Sequence, residues 1–114
     1  MKVDGNDISM TRGDSGGIYV RCYDSSNAMV PLVEGDTIYF TVKESAARED
    51  KLIQKVVTEF SEGIAYIPIF PEDTKSLRFK RPYIYDVQLT RAGGSVHTIV
   101  RPAKFTVLEE VTYE

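Results

Sequence analysis

No tryptophan occurs among the 114 residues, and cysteine and histidine occur once each. A single cysteine, Cys22, excludes an internal disulfide. Cys22 and His97 are also too few for a zinc site, which needs several nitrogen or sulfur ligands. They lie far apart in the chain, which speaks against a thiol–imidazole nucleophile pair. No apolar run reaches the roughly 18 residues that a bilayer-spanning helix requires. The N-terminus lacks the charged-then-apolar pattern of a secretory signal, so synthesis and folding in a cytoplasm are expected. Positive charge is scarce too: 14 Lys and Arg against 17 Asp and Glu give a net charge of −3. A general nucleic-acid binder would carry a basic patch, and anionic membranes attract the same kind of surface. Neither partner is expected. Nucleophile-elbow, phosphate-loop and calcium-loop spacings are all missing. The residues therefore predict no enzyme, no cofactor and no metal.

What the chain does contain is alternation. From Pro82 to Val107 it reads PYIYDVQLT, RAGG, SVHTIVR and PAKFTV. Tyr83, Tyr85, Val87 and Leu89 share one face of the first run, and Ile84, Asp86, Gln88 and Thr90 share the other. That is the period of two of a strand with one face in the core. Ala92, Gly93 and Gly94 supply turn conformations for a tight hairpin. The return run sets Val96, Thr98 and Val100 against His97 and Ile99. Pro102 cannot donate to a ladder and predicts a strand end or an edge. Phe105 and Val107 resume the pattern.

The rest of the chain repeats this theme. A polar lead-in covers residues 1–7, and Ile8 to Thr11 predicts a short strand. Arg12 to Gly17 is a turn cluster, with Asp14 expected to cap its own backbone. Ile18, Val20 and Cys22 alternate with Tyr19, Arg21 and Tyr23. The stretch 29–32 predicts a connector at the core edge. Ile38, Phe40 and Val42 predict a buried face, with Tyr39, Thr41 and Lys43 outward. The segment 44–50 is a surface loop. Residues 52–60 alternate imperfectly, with Leu52, Val56 and Phe60 on one face and Ile53 and Val57 on the other; their lysines suit a sheet edge. Residues 61–63 form a hairpin turn, and Ile64 to Phe70 returns, with Pro68 marking an edge or bulge. Pro71 to Leu77 is the one helical segment: Pro fits the first turn, and Glu72 and Asp73 complement the dipole. Leu77 and Phe79 are expected to pin it. The result is a single all-β domain over 1–114, with about seven principal strands and one helical crossover. Such a count predicts an immunoglobulin-like two-sheet β-sandwich; a closed small barrel is the alternative.

Candidate chemistry is sparse. Asp86, in a central strand, predicts a carboxylate bonded to backbone amides, a tyrosine hydroxyl, or Arg91 or Arg101. Asp4, Asp7 and Asp14 do not match a calcium loop. Of seven tyrosines, Tyr19, Tyr23, Tyr39 and Tyr66 are expected on outward faces, where rings can stack on sugars or anchor an interface. Tyr19, Arg21, Tyr23 and Tyr39 face outward on two strong strands and are the candidate partner-binding residues.

Three segments carry a family likeness. GDTIYFTVKESAAREDKLIQK, PEDTKSL and YIYDVQLTRAGGSVHTIVRPAKFTVLEEVT together resemble the N-terminal domain of phage baseplate upper proteins, from tailed phages and prophages of Gram-positive bacteria. The resemblance runs from about Ile8 to Thr112. Its most specific parts are Glu72–Thr74 and the YDVQLT…G…TIV…FTV arrangement. It implies a β-sandwich structural protein of the virion, docking receptor-binding components onto other tail and baseplate proteins. It offers no catalytic residue. In that family the chain continues beyond the point where this sequence ends, into segments that trimerise, so a homo-oligomer stays open. A carbohydrate-binding β-sandwich module recognising cell-wall glycan is the alternative function.

Overall fold

The computed structural model describes residues 1–78 and 82–111, with residues 2–4 described by their backbone alone. The sequence expectations at Asp4 and Phe79, and for the last three residues of the acidic C-terminal stretch, fall outside what is described. Among the described residues, ten strands and one helix succeed one another: β1 Lys2–Asp4, β2 Asp7–Thr11, β3 Gly16–Val20, β4 Cys22–Tyr23, β5 Met29–Val30, β6 Thr37–Lys43, β7 Lys51–Val57, β8 Ala65–Ile69, α1 Pro71–Lys75, β9 Pro82–Thr90 and β10 Val96–Leu108. The all-β class is as the alternation predicts. The strands form one six-stranded sheet in the order β1-β2-β10-β9-β6-β7 and two small sheets, β3-β8 and β4-β5.

The interior strands obey the sequence pattern. Ile38, Phe40 and Val42 are wholly buried, as are Phe105 and Val107, with Val87 and Leu89 beside them. Phe40, Tyr85 and Phe105 pack their rings at centroid separations of 5.3–6.4 Å, a geometry that favours tilted and edge contacts. Ile67, Ala65 and Val20 from the small sheets join the same core, with Cys22 and Leu32. One cluster thus unites the inward residues of all three sheets. Cys22 is a buried free thiol, and burial pushes its pKa up, as a small apolar packing residue requires.

Several local expectations need correction. The lead-in is a strand, paired antiparallel to β2 through a hairpin at Gly5, which has φ +61°. Residues 29–30 are likewise a strand, joined to β4 by a turn in which the Asp24 carboxylate accepts the Ser26 and Ala28 amides. Glu62 and Gly63 both have positive φ, the conformation of a two-residue hairpin turn. Yet β7 and β8 do not pair with each other. The chain leaves the large sheet and β8 pairs with β3. Pro68 therefore lies on an edge strand, as its missing N–H demands. On β7 the core takes Ile53, while Leu52 and Val56 stay exposed; register with β6 puts Val56 opposite outward-facing Tyr39. β7 is the sheet edge that its lysines predicted.

Strand β10 departs most from its pattern. It runs unbroken through Pro102, which sits within a register irregularity. Eleven residues of β10 (96–106) face nine of β9 (82–90), with slips between Thr98 and Val100 and again between Val100 and Ala103. Each extra residue exchanges the faces of the residues beyond it. Val96 and Thr98 consequently lie beside Thr90 and Gln88, whereas His97 pairs with buried Leu89 and Val100 with buried Val87. The sequence set His97 opposite the core face; the structure turns it to the core side, at an end left uncovered, where its Nε2 lies 3.2 Å from the Ser95 hydroxyl.

Helix α1 is held by its own sequence. Asp73 accepts the Phe70 amide at 2.7 Å and pairs with Lys55 Nζ at 2.7 Å. Thr74 is fully buried and accepts the Gly13 amide at 2.8 Å. Leu77 is buried as expected. The Arg12–Asp14 turn is closed by the Asp14 amide on the Thr11 carbonyl, rather than by the Asp14 carboxylate. Arg12 forks onto Glu110, with Nη2 2.6 Å from Oε1. Its hydrogen bonds and charge hold the Glu110 carboxyl below the usual range.

Candidate functional site

Two surfaces face away from the shared core. The first is the outer face of β3-β8 and its continuation into β4-β5. Alternation sends Ile18 and Val20 inward, so Tyr19 and its neighbours in phase turn out. Tyr19, Tyr23 and Tyr66 are 65%, 59% and 46% exposed, and Arg21 is exposed with them. Tyr19 and Tyr66 are cross-strand partners with ring centroids 4.9 Å apart. Gly17 makes this possible. A Cβ there would sit 2.2 Å from the Tyr66 hydroxyl oxygen, so the ring lies flat over bare backbone. A glycine covered by a cross-strand aromatic is a recognised way of supporting an exposed strand.

The second surface is the outer face of the large sheet. Cross-strand register assembles it in rows: Tyr39 opposite Gln88, Thr41 opposite Asp86, and Lys43 opposite Ile84. On the other side of β6, Gln54 lies opposite Thr41 and Lys51 opposite Lys43. These side chains line an open groove of about 380 Å³, bordered by Ala46 of the 44–50 loop and by Pro102 at the β10 irregularity. Gln54 Nε2 donates to Thr41 Oγ1 at 3.3 Å. Asp86 is half-buried on the groove floor. Burial pushes its pKa up, and the Lys43 ammonium opposes that shift in part.

The four candidate partner-binding residues are therefore divided. Tyr19, Arg21 and Tyr23 share the small-sheet surface, while Tyr39 lines the groove of the large sheet. The expected partners of Asp86 are not the ones observed: Arg91 is committed to Asp36 at 2.7 Å, and among the described residues no hydrogen bond or ion pair joins the Asp86 carboxylate. Gln54 and Lys51 were missed by sequence reasoning, and Tyr66 was read as outward but left out of the partner-binding set. Gln54 and Lys51 become neighbours of the Asp86 row only through the β7-β6-β9 ladder.

No group of three or more His, Cys, Asp or Glu side chains converges to hold a metal among the described residues. No helix among them is long and apolar enough to cross a membrane. No family model, no curated protein and no solved structure matches this chain.

Proposed function

We propose that this chain is a structural module of a phage or prophage tail baseplate, docking receptor-binding components onto the tail by protein–protein contacts and doing no catalysis. In this reading the six-stranded sheet is one layer of an immunoglobulin-like sandwich, and the two small sheets together make the other. The protein would be made in the bacterial host cytoplasm and act in the virion. Support comes from the resemblance and from what its most specific motif does. Asp73 and Thr74, within the Glu72–Thr74 motif, clamp α1 to β7 and to the Arg12–Asp14 turn. Such residues preserve a fold that presents surfaces.

The single observation that carries the docking role is the exposed Tyr19–Tyr66 pair with Arg21 and Tyr23 beside it. Aromatic and arginine side chains are the residue types enriched at interface centres. Rings already packed against each other lose little freedom on binding. The test uses the tail proteins encoded beside this gene, co-expressed and purified with it. The triple variant Tyr19→Ala, Arg21→Ala, Tyr23→Ala is expected to weaken complex formation at least about tenfold while the domain still folds cooperatively, its melting temperature lowered only by the loss of the Tyr19–Tyr66 contact. Undiminished association would remove this face from the reading. A gene neighbourhood of metabolic enzymes would remove the reading itself.

A further inference from the structure

The groove on the large sheet has no part in that docking face, and its lining has a different chemistry. Its lining is mixed: Tyr39, Tyr85, Ile84 and Val96 supply apolar surface, and Thr41, Gln54, Asp86 and Gln88 set hydrogen-bonding groups among them. Asp86 offers a carboxylate with no described partner. Gln54, Gln88 and Thr41 offer both donors and acceptors, and Tyr39 contributes an aromatic ring to the lining. A polyhydroxylated ring fits each group: vicinal hydroxyls donate to a carboxylate, amides bridge neighbouring hydroxyls, and the C–H face of the sugar lies on an aromatic ring.

Charge narrows the class. Lys43 and Lys51 are partners across the β6–β7 ladder just past a register irregularity, and like charges facing across strands are destabilising unless something neutralises them. Among the described residues neither ammonium has an ion pair within the usual contact distance, and Asp86 can balance only one of them. Among the lining residues two ammonium groups thus face one carboxylate, although the chain as a whole carries −3. The volume of about 380 Å³ falls in the range of small-molecule sites, and the open form admits one unit of a longer chain.

We infer that the groove formed by β7, β6 and β9 binds an acidic saccharide, with Asp86, Gln54 and Gln88 on the sugar hydroxyls, Tyr39 under the ring and the Lys43–Lys51 pair on the acidic group. The acid is a carboxylate or a phosphate; both meet two ammonium donors in the same way. Binding here leaves the Tyr19 face free, so an assembly role and a saccharide site stand or fall separately.

The test is a titration of the ¹⁵N-labelled full chain, monitored by amide chemical shifts, with four probes: a hyaluronan tetrasaccharide, mannose 6-phosphate, neutral cellotetraose and glucuronic acid. Saturable shifts at Thr41, Lys43, Gln54, Asp86 and Gln88 with at least one acidic probe are expected, and the probe that gives them tells uronate from phosphate. Asp86→Asn and Lys43→Gln should each weaken that binding about tenfold or more while leaving the rest of the spectrum in place. Shifts of equal size with cellotetraose would overturn the acidic assignment. No saturable shift in the groove with any probe, or shifts confined to the Tyr19 face, would overturn the site. Added salt at about 0.5 M should weaken binding of the acidic probe, because its lysine contacts are at the surface.

Discussion

Asp36 and Arg91 meet at 2.7 Å between the turn that precedes β6 and the hairpin after β9. The carboxylate is 1% exposed and the guanidinium 27%. Asp36 also accepts the Val33 amide at 2.9 Å and the Ala92 amide at 3.3 Å. Gly35, at φ +94°, lies so close to the hairpin that a Cβ would stand 2.7 Å from that of Ala92. A single buried carboxylate therefore ties together the two turns at one end of the central strands.

Truncating Asp36→Ala is expected to destabilise the protein by about 2–4 kcal/mol, because two amides and a guanidinium lose their acceptor together. Arg91→Ala should have a smaller effect, about 1–2 kcal/mol, since the two amides still hold the carboxylate. Urea unfolding of both variants, monitored by circular dichroism, measures the difference. Equal effects would show that the amide bonds contribute nothing separable.

The same carboxylate sets an acid limit. Burial alone would raise the Asp36 pKa, but the Val33 amide, the Arg91 charge and the Ala92 amide outweigh it and hold the value below that of an ordinary aspartate. A folded-state pKa below the unfolded one contributes stability above the unfolded value, near ~3.9. That contribution disappears as pH falls toward the folded value. Glu110, held down by Arg12, acts with the same sign. Wild-type protein should therefore lose stability steeply below about pH 4. Asp36→Asn should be less stable at pH 7 and have a shallower acid slope, read from melting temperatures between about pH 2.5 and 7.

Asp86 has the opposite sign. Burial raises its pKa, and Lys43 opposes this incompletely. Folding thus favours the protonated form, and the ionised form opposes folding at neutral pH. Asp86→Asn is expected to match or slightly exceed wild-type stability at about pH 7, with the gap closing as pH falls below the carboxylate range. A drop in melting temperature at neutral pH would show that the ionised carboxylate stabilises the groove.

Thr74 joins α1 to the turn before β3 through one buried hydroxyl. Thr74→Val keeps the shape and removes the acceptor of the Gly13 amide. Leaving that N–H unsatisfied is expected to cost about 1–2 kcal/mol. Faster amide exchange at Gly13, with β9 unchanged, is the local signature.

Gly17→Ala should displace the Tyr66 ring, which fills the space a Cβ would need. Loss of the covering aromatic and of its tilted contact with Tyr19 is expected to destabilise by about 0.5–1.5 kcal/mol. The Tyr19 ring resonances should shift as well. Unchanged resonances would mean that Tyr66 does not rest on Gly17 in solution.

The sequence by itself determined which way side chains point wherever a strand runs without interruption. Ile38, Phe40 and Val42 on β6, and Tyr83, Tyr85, Val87 and Leu89 on β9, are buried as their alternation requires, because a pleated backbone alternates its side chains by local geometry alone. It also marked β7 as an edge and α1 as the helix, from lysines and from proline with two acids. Only the tertiary structure decided which strands pair. Nothing within β8 distinguishes β7 from β3 as its neighbour; both satisfy the same hydrogen bonds, and burial of Ala65 and Ile67 in the shared core selects β3. The two irregularities in β10 were equally hidden, since one inserted residue leaves composition untouched yet exchanges the faces, which carried His97 to the core side and Val96 to the groove. Asp36 read as a turn residue because its burial depends on a hairpin 55 residues away, and no pattern local to either segment encodes a contact over that distance.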